Sequence, residues 1–173
     1  MNAEQEHSRS PWMETPAPAL TPLADALEPP ADALETDVLV IGAGIAGLSS
    51  AYELALAGRQ VAVVDRGRFG RGMTARTTAH LAFEIDDYFR ELIKGHGREA
   101  ARLWCESQAA AVDRIEAICQ AESIGCDFAR LDGYFVPARP EDAEDLRKEL
   151  EAAHEAGLAD AAWVEAGAGP GLD

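Results

Sequence analysis

Apolar positions along the chain fall into runs of two different periods, and these runs predict most of the elements. "DVLVI" (37–41) is a short β-branched-rich run between Thr36 and Gly42, as expected of a strand buried on both faces in a parallel sheet. "GIAGLSSAYELALAG" (44–58) places Leu48, Ala51, Tyr52 and Ala55 at helical spacing, with Gly58 to supply a left-handed cap. "QVAVVD" (60–65) reads as a second strand. A strand, a helix and a strand in such close succession require a parallel, right-handed crossover. Residues 66–78, rich in glycine, arginine and threonine, have no apolar period and read as loop.

Further along, residues 97–122 predict a long helix with Leu103, Trp104, Ala111, Ile115 and Ile118 along one side. "CDFARLDGYFVP" (126–137) predicts a hairpin around the Asp132-Gly133 pair. Residues 140–157 predict another helix, opened by Pro140, acidic in its first turn and closed by Gly157. "AAWVEAG" (161–167) reads as one more short strand. Residues 1–35 hold six of the nine prolines and show neither period, so they predict a disordered leader, and order begins at Thr36 or Asp37. No internal repeat is visible.

Composition narrows the function. The 173 residues are 47% hydrophobic, enough for a core, and carry 15 basic against 31 acidic side chains, a net charge of −16. Such a field repels nucleic-acid phosphates and anionic lipid headgroups, which argues against nucleic-acid and membrane partners. There is no membrane-length apolar run and no signal-peptide pattern in the first thirty residues, so the expectation is a soluble, cytoplasmic protein. Cys105, Cys119 and Cys126 match neither a zinc set nor a disulfide framework; they read as buried or inert thiols, and no metal site is expected.

The chemistry sits in Gly42, Gly44 and Gly47, a G-x-G-x-x-G between strand and helix, with Asp65 eighteen residues beyond Gly47 at the end of the next strand. Gly42 permits the turn, Gly44 the approach of a pyrophosphate, and Gly47 close packing of helix on sheet. Ile45 and Ala46 bring their N–H groups to the helix N-terminus, where a diphosphate is stabilised. Asp65, with Arg66 beside it, is placed to meet the adenosine ribose, and an acid there disfavours the 2′-phosphate of NADP. The ordered sequence of strand, glycines, helix, strand and acid distinguishes this from a chance match. The fold class is therefore α/β, with a Rossmann-type βαβ unit.

Beyond Asp65, "RFGRGMTARTTAHL" joined to the glycine segment resembles the FAD-dependent oxidoreductases of the D-amino-acid-oxidase type. In that family the loop has the form G-x-[ST]-x-R-x-x-[AG]; here it corresponds to Gly72, Thr74, Arg76, Thr77, Thr78 and Ala79, whose backbone and side chains are implied to lie along the flavin side. "TTAHLAFEIDDYF", "HGREAARLWCESQAAAVDRIE" and "CDFARLDGYFVPA" resemble a bacterial subgroup whose flavin domain is followed by a Rieske [2Fe-2S] domain. The resemblance covers most of residues 36–172. It implies FAD as cofactor, hydride transfer from an amine or amino-acid-like substrate to the flavin, and a full-length protein that carries a Rieske domain in some members.

In this family the chain leaves the FAD domain to build a substrate region and returns to complete it. Residues 36–173 are thus expected to be the incomplete N-terminal part of an oxidoreductase, its helices and hairpin beginning the substrate or cap region. Neither a returning strand nor the two cysteine and two histidine ligands of a Rieske cluster is present in the sequence given. Two alternatives stay open: a truncated remnant that binds FAD without catalysis, and an NAD-dependent dehydrogenase fragment, which the threonine loop disfavours.

Other candidates are weaker. His80 follows the threonine loop and is a candidate for the flavin's surroundings, balanced by an ordinary packed histidine, and no catalytic base is assigned. His96 reads as a loop residue. Asp86 and Asp87 read as a solvated pair or a helix start, Trp104 as core, and Tyr134 as a possible border of a substrate pocket.

Overall fold

The computed structural model describes residues 35–67, 69, 70, 72–82, 87–137, 139 and 142–165. The leader expected over residues 1–35 lies outside these apart from residue 35. The chain forms two compact units, Met1–His80 and Leu81–Asp173.

The first unit is the predicted crossover. Strand β1 (Val38–Ile41), helix α1 (Ile45–Leu56) and strand β2 (Val61–Val64) follow in order, and a short 3-10 turn spans Thr74–Arg76. The strands pair in parallel, with Val38 opposite Val61 and Ile41 opposite Val64. Thr36 ties the start of the sheet, its hydroxyl donating to the Gln60 carbonyl at 2.7 Å, while Asp37 accepts the Gln60 N–H at 2.9 Å. Gly58 has φ +79, the left-handed conformation expected after α1.

Burial on both faces of β1 is not observed. Val38 and Val40 are half-buried, whereas Leu39 is 54% and Ile41 82% exposed. A two-stranded sheet crossed by one helix covers one face only, and among the described residues nothing covers the other.

The second unit is helical. Helix α2 (Phe89–His96), of which the sequence suggested no more than a start near Asp86 and Asp87, is followed through Gly97 (φ +83) by α3 (Arg98–Ala121), and α4 (Ala143–Glu155) packs against α2. Their core joins Phe89, Ala101, Cys105, Ala152, Ala153 and Ala156, with Leu92, Ile93, Trp104 and Leu158 around it. Alanines let the helix backbones approach, and Phe89 fills the seam, its ring edge-on to Trp104 at 6.2 Å between centroids. Trp104 is thus core, as read; His96 ends α2 rather than sitting in a loop.

Glu149 fixes the start of α2 from α4. Its carboxylate accepts the N–H of Phe89 in a short hydrogen bond and that of Arg90 at 3.4 Å, two of the donors that a helix N-terminus leaves without intrahelical acceptors. The side chain is only 6% exposed, and burial pushes its carboxyl up against the opposing pull of those N–H groups.

The hairpin predicted at 126–137 is not formed: these residues make no strand ladder. Asp127 takes φ +53, Leu131 is 84% and Phe135 65% exposed, and neither alternating face is buried. An Asp-Gly pair favours a turn, but an isolated two-stranded ribbon gains too little burial to hold its ladder. Residues 161–165 likewise form no strand; Trp163 instead lies under the Arg147 guanidinium, 4.0 Å from it.

Candidate dinucleotide-binding site

The glycine turn is built almost entirely by main chain. Gly42 leaves β1 with φ +108, a conformation costly to any residue with a Cβ, and its N–H is held by the Val64 carbonyl at 2.8 Å. A Cβ on Gly47 would stand 1.9 Å from the Gly42 carbonyl oxygen, so α1 lies against the end of β1 as only glycine allows. Gly44 is the N-cap of α1 with φ −81 and offers no side-chain cap, and the first turn carries no acid. The N–H groups of Ala46 and Gly47 have no acceptor among the described residues. This is the arrangement a phosphate requires: unpaired donors, the positive end of a helix dipole, and no Cβ at the N-cap.

Asp65 closes the turn from β2. Its Oδ2 accepts the N–H of Ala43 at 2.7 Å and its Oδ1 that of Gly67 at 2.8 Å. Those two hydrogen bonds, and then the charge of Arg66, hold the carboxyl below its ordinary range. An ionised carboxylate has about four acceptor positions, so two remain for ribose hydroxyls.

The loop after β2 folds back onto the same turn. Gly70 N–H donates to the Ala43 carbonyl at 2.8 Å, and Thr74 Oγ1 accepts the N–H of Ile45 at 3.0 Å. Thr74 therefore caps α1 from 29 residues away in sequence, and its hydroxyl lies 3.3 Å from where a Gly44 Cβ would stand. Gly72 takes φ +74 and its carbonyl accepts from Arg76 Nη1 at 3.3 Å. Thr77 Oγ1 accepts the Ala79 N–H at 3.2 Å, with Ala79 at φ +60.

Of the residues read from sequence, Gly42, Gly44, Ile45, Ala46, Gly47, Asp65 and Thr74 converge on the turn. Arg66 adjoins it through the field it exerts on Asp65. Thr77, Thr78 and His80 are exposed, and among the described residues no hydrogen bond joins Thr78 or His80 to the turn. Sequence reasoning missed Ala43, Gly67 and Gly70, whose main-chain groups close the network; Ala43, framed by two fingerprint glycines, was the one with a visible signal. Asp86 lies outside the described residues, Asp87 and Tyr134 are exposed, and Tyr88 rather than Tyr134 meets an aromatic partner, Phe135 at 5.7 Å.

Residues 37–170 match the family described as FAD dependent oxidoreductase. The chain belongs to that family. FAD is accordingly the expected cofactor, and the donors around Gly44 fit its diphosphate. Over 122 residues, 70% of this chain and 24% of the relative, it is 33% identical to YhfW of Bacillus subtilis, assigned by name to the Rieske 2Fe-2S iron-sulfur proteins. It is 33% identical to OrdL of Haemophilus influenzae, named as an oxidoreductase, over 65% of this chain and 27% of that protein. It is 31% identical to the gamma-glutamylputrescine oxidoreductase of Escherichia coli, over 66% of this chain and 27% of that protein. The chain spans about a quarter of the length of these relatives. No solved structure matches it. No helix among the described residues is long and apolar enough to cross a membrane, and no group of His, Cys, Asp or Glu among them is placed to hold a metal ion.

Proposed function

We propose that this chain is the FAD-binding, N-terminal portion of a cytoplasmic oxidoreductase that takes a hydride from an amine or amino-acid-like donor. The observation that carries the reading is the closed network around Gly44, with Asp65 and Thr74 bound to consecutive parts of one turn and two helix N–H groups left over. FAD, when bound, supplies the two-electron acceptor. In this reading Gly44, Ala46 and Gly47 receive the diphosphate, Asp65 and Arg66 the adenosine ribose, and the segment from Gly72 through Arg76, Thr77 and Thr78 to His80 runs toward the flavin.

The amine class is supported by the name of the Escherichia coli relative, which specifies a compound with carbon–nitrogen bonds. A Rieske domain in the full-length protein is supported by the name of the Bacillus subtilis relative. The donor is thus a small molecule; the acidic surface disfavours nucleic acid and anionic membranes as partners.

The test mixes the chain with excess FAD, desalts it, and records visible absorbance and circular dichroism on the same sample. Flavin retained by a folded chain is the expected result. A folded chain that releases all its flavin would refute the assignment, and retention of NAD in its place would point to a dehydrogenase.

A further inference from the structure

We propose that Cys119 and Cys126 are a peroxide-sensitive dithiol that closes to a disulfide at the C-terminal end of α3. Their sulfurs lie 3.6 Å apart and share a hydrogen bond. A disulfide needs about 2.05 Å, so closure requires a movement of little more than a bond length.

The backbone holds this juxtaposition in place. Helix α3 ends in a Schellman turn: Ser123 N–H donates to the Gln120 carbonyl at 3.2 Å and Ile124 N–H to the Cys119 carbonyl at 2.8 Å. Ser123 takes the left-handed conformation there, φ +54, and Asp127 repeats it at +53. The second hydrogen bond anchors the Cys119 main chain directly to the reversal that returns Cys126 to it.

A second clamp keeps the returning segment alongside the helix. Arg130 reaches back to Asp113 at 2.6 Å and Glu116 at 2.7 Å, both on α3. Positions 126 and 130 thus retrace α3 past 119 and then 116 and 113. The remaining cysteine, Cys105, is buried in the helical core and takes no part.

The two sulfurs have different surroundings, which fixes their order of reaction. Cys126 is exposed and Cys119 half-buried. The hydrogen bond with Cys126, burial and the nearby Glu116 push the Cys119 thiol up, while peroxide in solvent reaches the exposed Cys126 sulfur first. The Cys126 thiolate attacks hydrogen peroxide: an S–O bond forms, the O–O bond breaks, and the departing hydroxide takes up a proton as water. The Cys119 sulfur, giving up its proton, then attacks the Cys126 sulfenic acid; the S–S bond forms and the S–O bond breaks, releasing a second water. Two thiols and one peroxide become one disulfide and two waters. Sequence spacing hid this site, because seven residues that cross a helix end have no fixed separation until the cap is known.

Trypsin leaves both cysteines on one peptide, Ile115–Arg130, and Cys105 on another, Leu103–Arg114. The experiment treats the chain with hydrogen peroxide at neutral pH, blocks with N-ethylmaleimide, and weighs the peptides. The expected product is an Ile115–Arg130 peptide two hydrogens lighter that takes no maleimide until reduced with dithiothreitol, formed about tenfold or more faster in buffer than in urea, because folding holds the thiols near contact. In Cys119→Ser, Cys126 is expected to accumulate as a sulfenic acid that dimedone traps. Retention of both maleimides, over-oxidation of Cys126 with Cys119 still free, or equal rates in buffer and urea would each overturn the proposal.

Discussion

Two single-methyl additions to the glycine turn should separate folding from cofactor binding. A Cβ at position 47 would meet the Gly42 carbonyl oxygen at 1.9 Å, its carbon at 3.1 Å and Val40 Cγ1 at 3.3 Å. The first contact is far inside the roughly 3.5 Å that nonbonded atoms prefer, and it involves main chain that cannot rotate away. Overpacking costs up to about 3 kcal/mol, while alanine gains about 1 kcal/mol over glycine inside a helix, so Gly47→Ala should lose about 2 kcal/mol. A Cβ at position 44 meets only Thr74 Oγ1 at 3.3 Å, on a backbone with φ −81 that alanine adopts freely. Gly44→Ala should therefore stay within about 0.5 kcal/mol of the parent. Its methyl would nevertheless occupy the approach to the Ala46 and Gly47 donors, and losing one charge-assisted hydrogen bond of about 2 kcal/mol weakens FAD roughly thirtyfold. Amide exchange in β1 and β2 measures the first quantity, and quenching of flavin fluorescence the second. Unchanged protection in Gly47→Ala, or parental affinity in Gly44→Ala, would refute this account of the turn.

Other perturbations test the remaining supports. Asp65→Ala removes the acceptor of the Ala43 and Gly67 N–H groups and the proposed ribose partner, so FAD titration should show a loss on the order of 1–3 kcal/mol. Thr74→Val strips the cap from the Ile45 N–H and should cost about 1 kcal/mol of local stability, read as faster amide exchange at the start of α1; no change there would leave Thr74 without a structural role. Glu149→Ala orphans the Phe89 and Arg90 N–H groups and should lower the stability of the helical unit by about 2 kcal/mol in urea denaturation. Because burial raises the Glu149 carboxyl, the folded state binds its proton more tightly than the unfolded chain does; that stability is present in acid and is lost as pH rises from the ordinary glutamate range through the raised value. Glu149→Gln should flatten this slope, and an unaltered pH profile would show that Glu149 does not titrate in it.

The crossover and its glycine turn were legible because each step carried a local signal. β-Branched runs marked the strands, three glycines marked the turn, and helical spacing marked α1, α3 and α4, with ends off by one to three residues. Helix α2 had a signal too, in Phe89, Leu92 and Ile93, but eight residues ending in "GH" make a weak pattern, and the element depends on a cap from Glu149 sixty residues away. The hairpin failed for the reverse reason: Asp132-Gly133 is a strong local cue, yet Leu131 and Phe135 stay mostly exposed, Phe135 touching only the Tyr88 ring among aromatic partners in the described residues. At the site, Asp65 was legible as the acid that ends β2 beside the glycine turn, but its bonds to Ala43 and Gly67 were not, since main-chain donors leave no trace in residue type. Thr74 was legible as part of the loop after β2, but the cap its hydroxyl gives the Ile45 N–H was not, because that contact joins residues 29 positions apart.

How a strongly acidic chain can hold an anionic cofactor follows from where its charges lie. Residues 1–80 carry six bases against ten acids, and residues 81–173 nine against twenty-one, so most of the excess belongs to the helical unit. Within the first unit, the stretch from Asp65 to His80 sets Arg66, Arg68, Arg71 and Arg76 against Asp65 as its one acid. The Asp65 charge is itself partly offset by the Ala43 and Gly67 N–H dipoles. At physiological ionic strength, fields between exposed charges decay over about 8 Å, so a diphosphate at Gly44, as proposed, would respond chiefly to its neighbours: the start of α1, which has no acid in its first turn, and the main chain that Thr74 and Gly70 fasten to it. The global charge repels nucleic acid over its whole length, while a compact cofactor would be small enough to lie within reach of the N-terminus of α1. The same charge distribution that argues against one class of anionic partner is therefore compatible with the other.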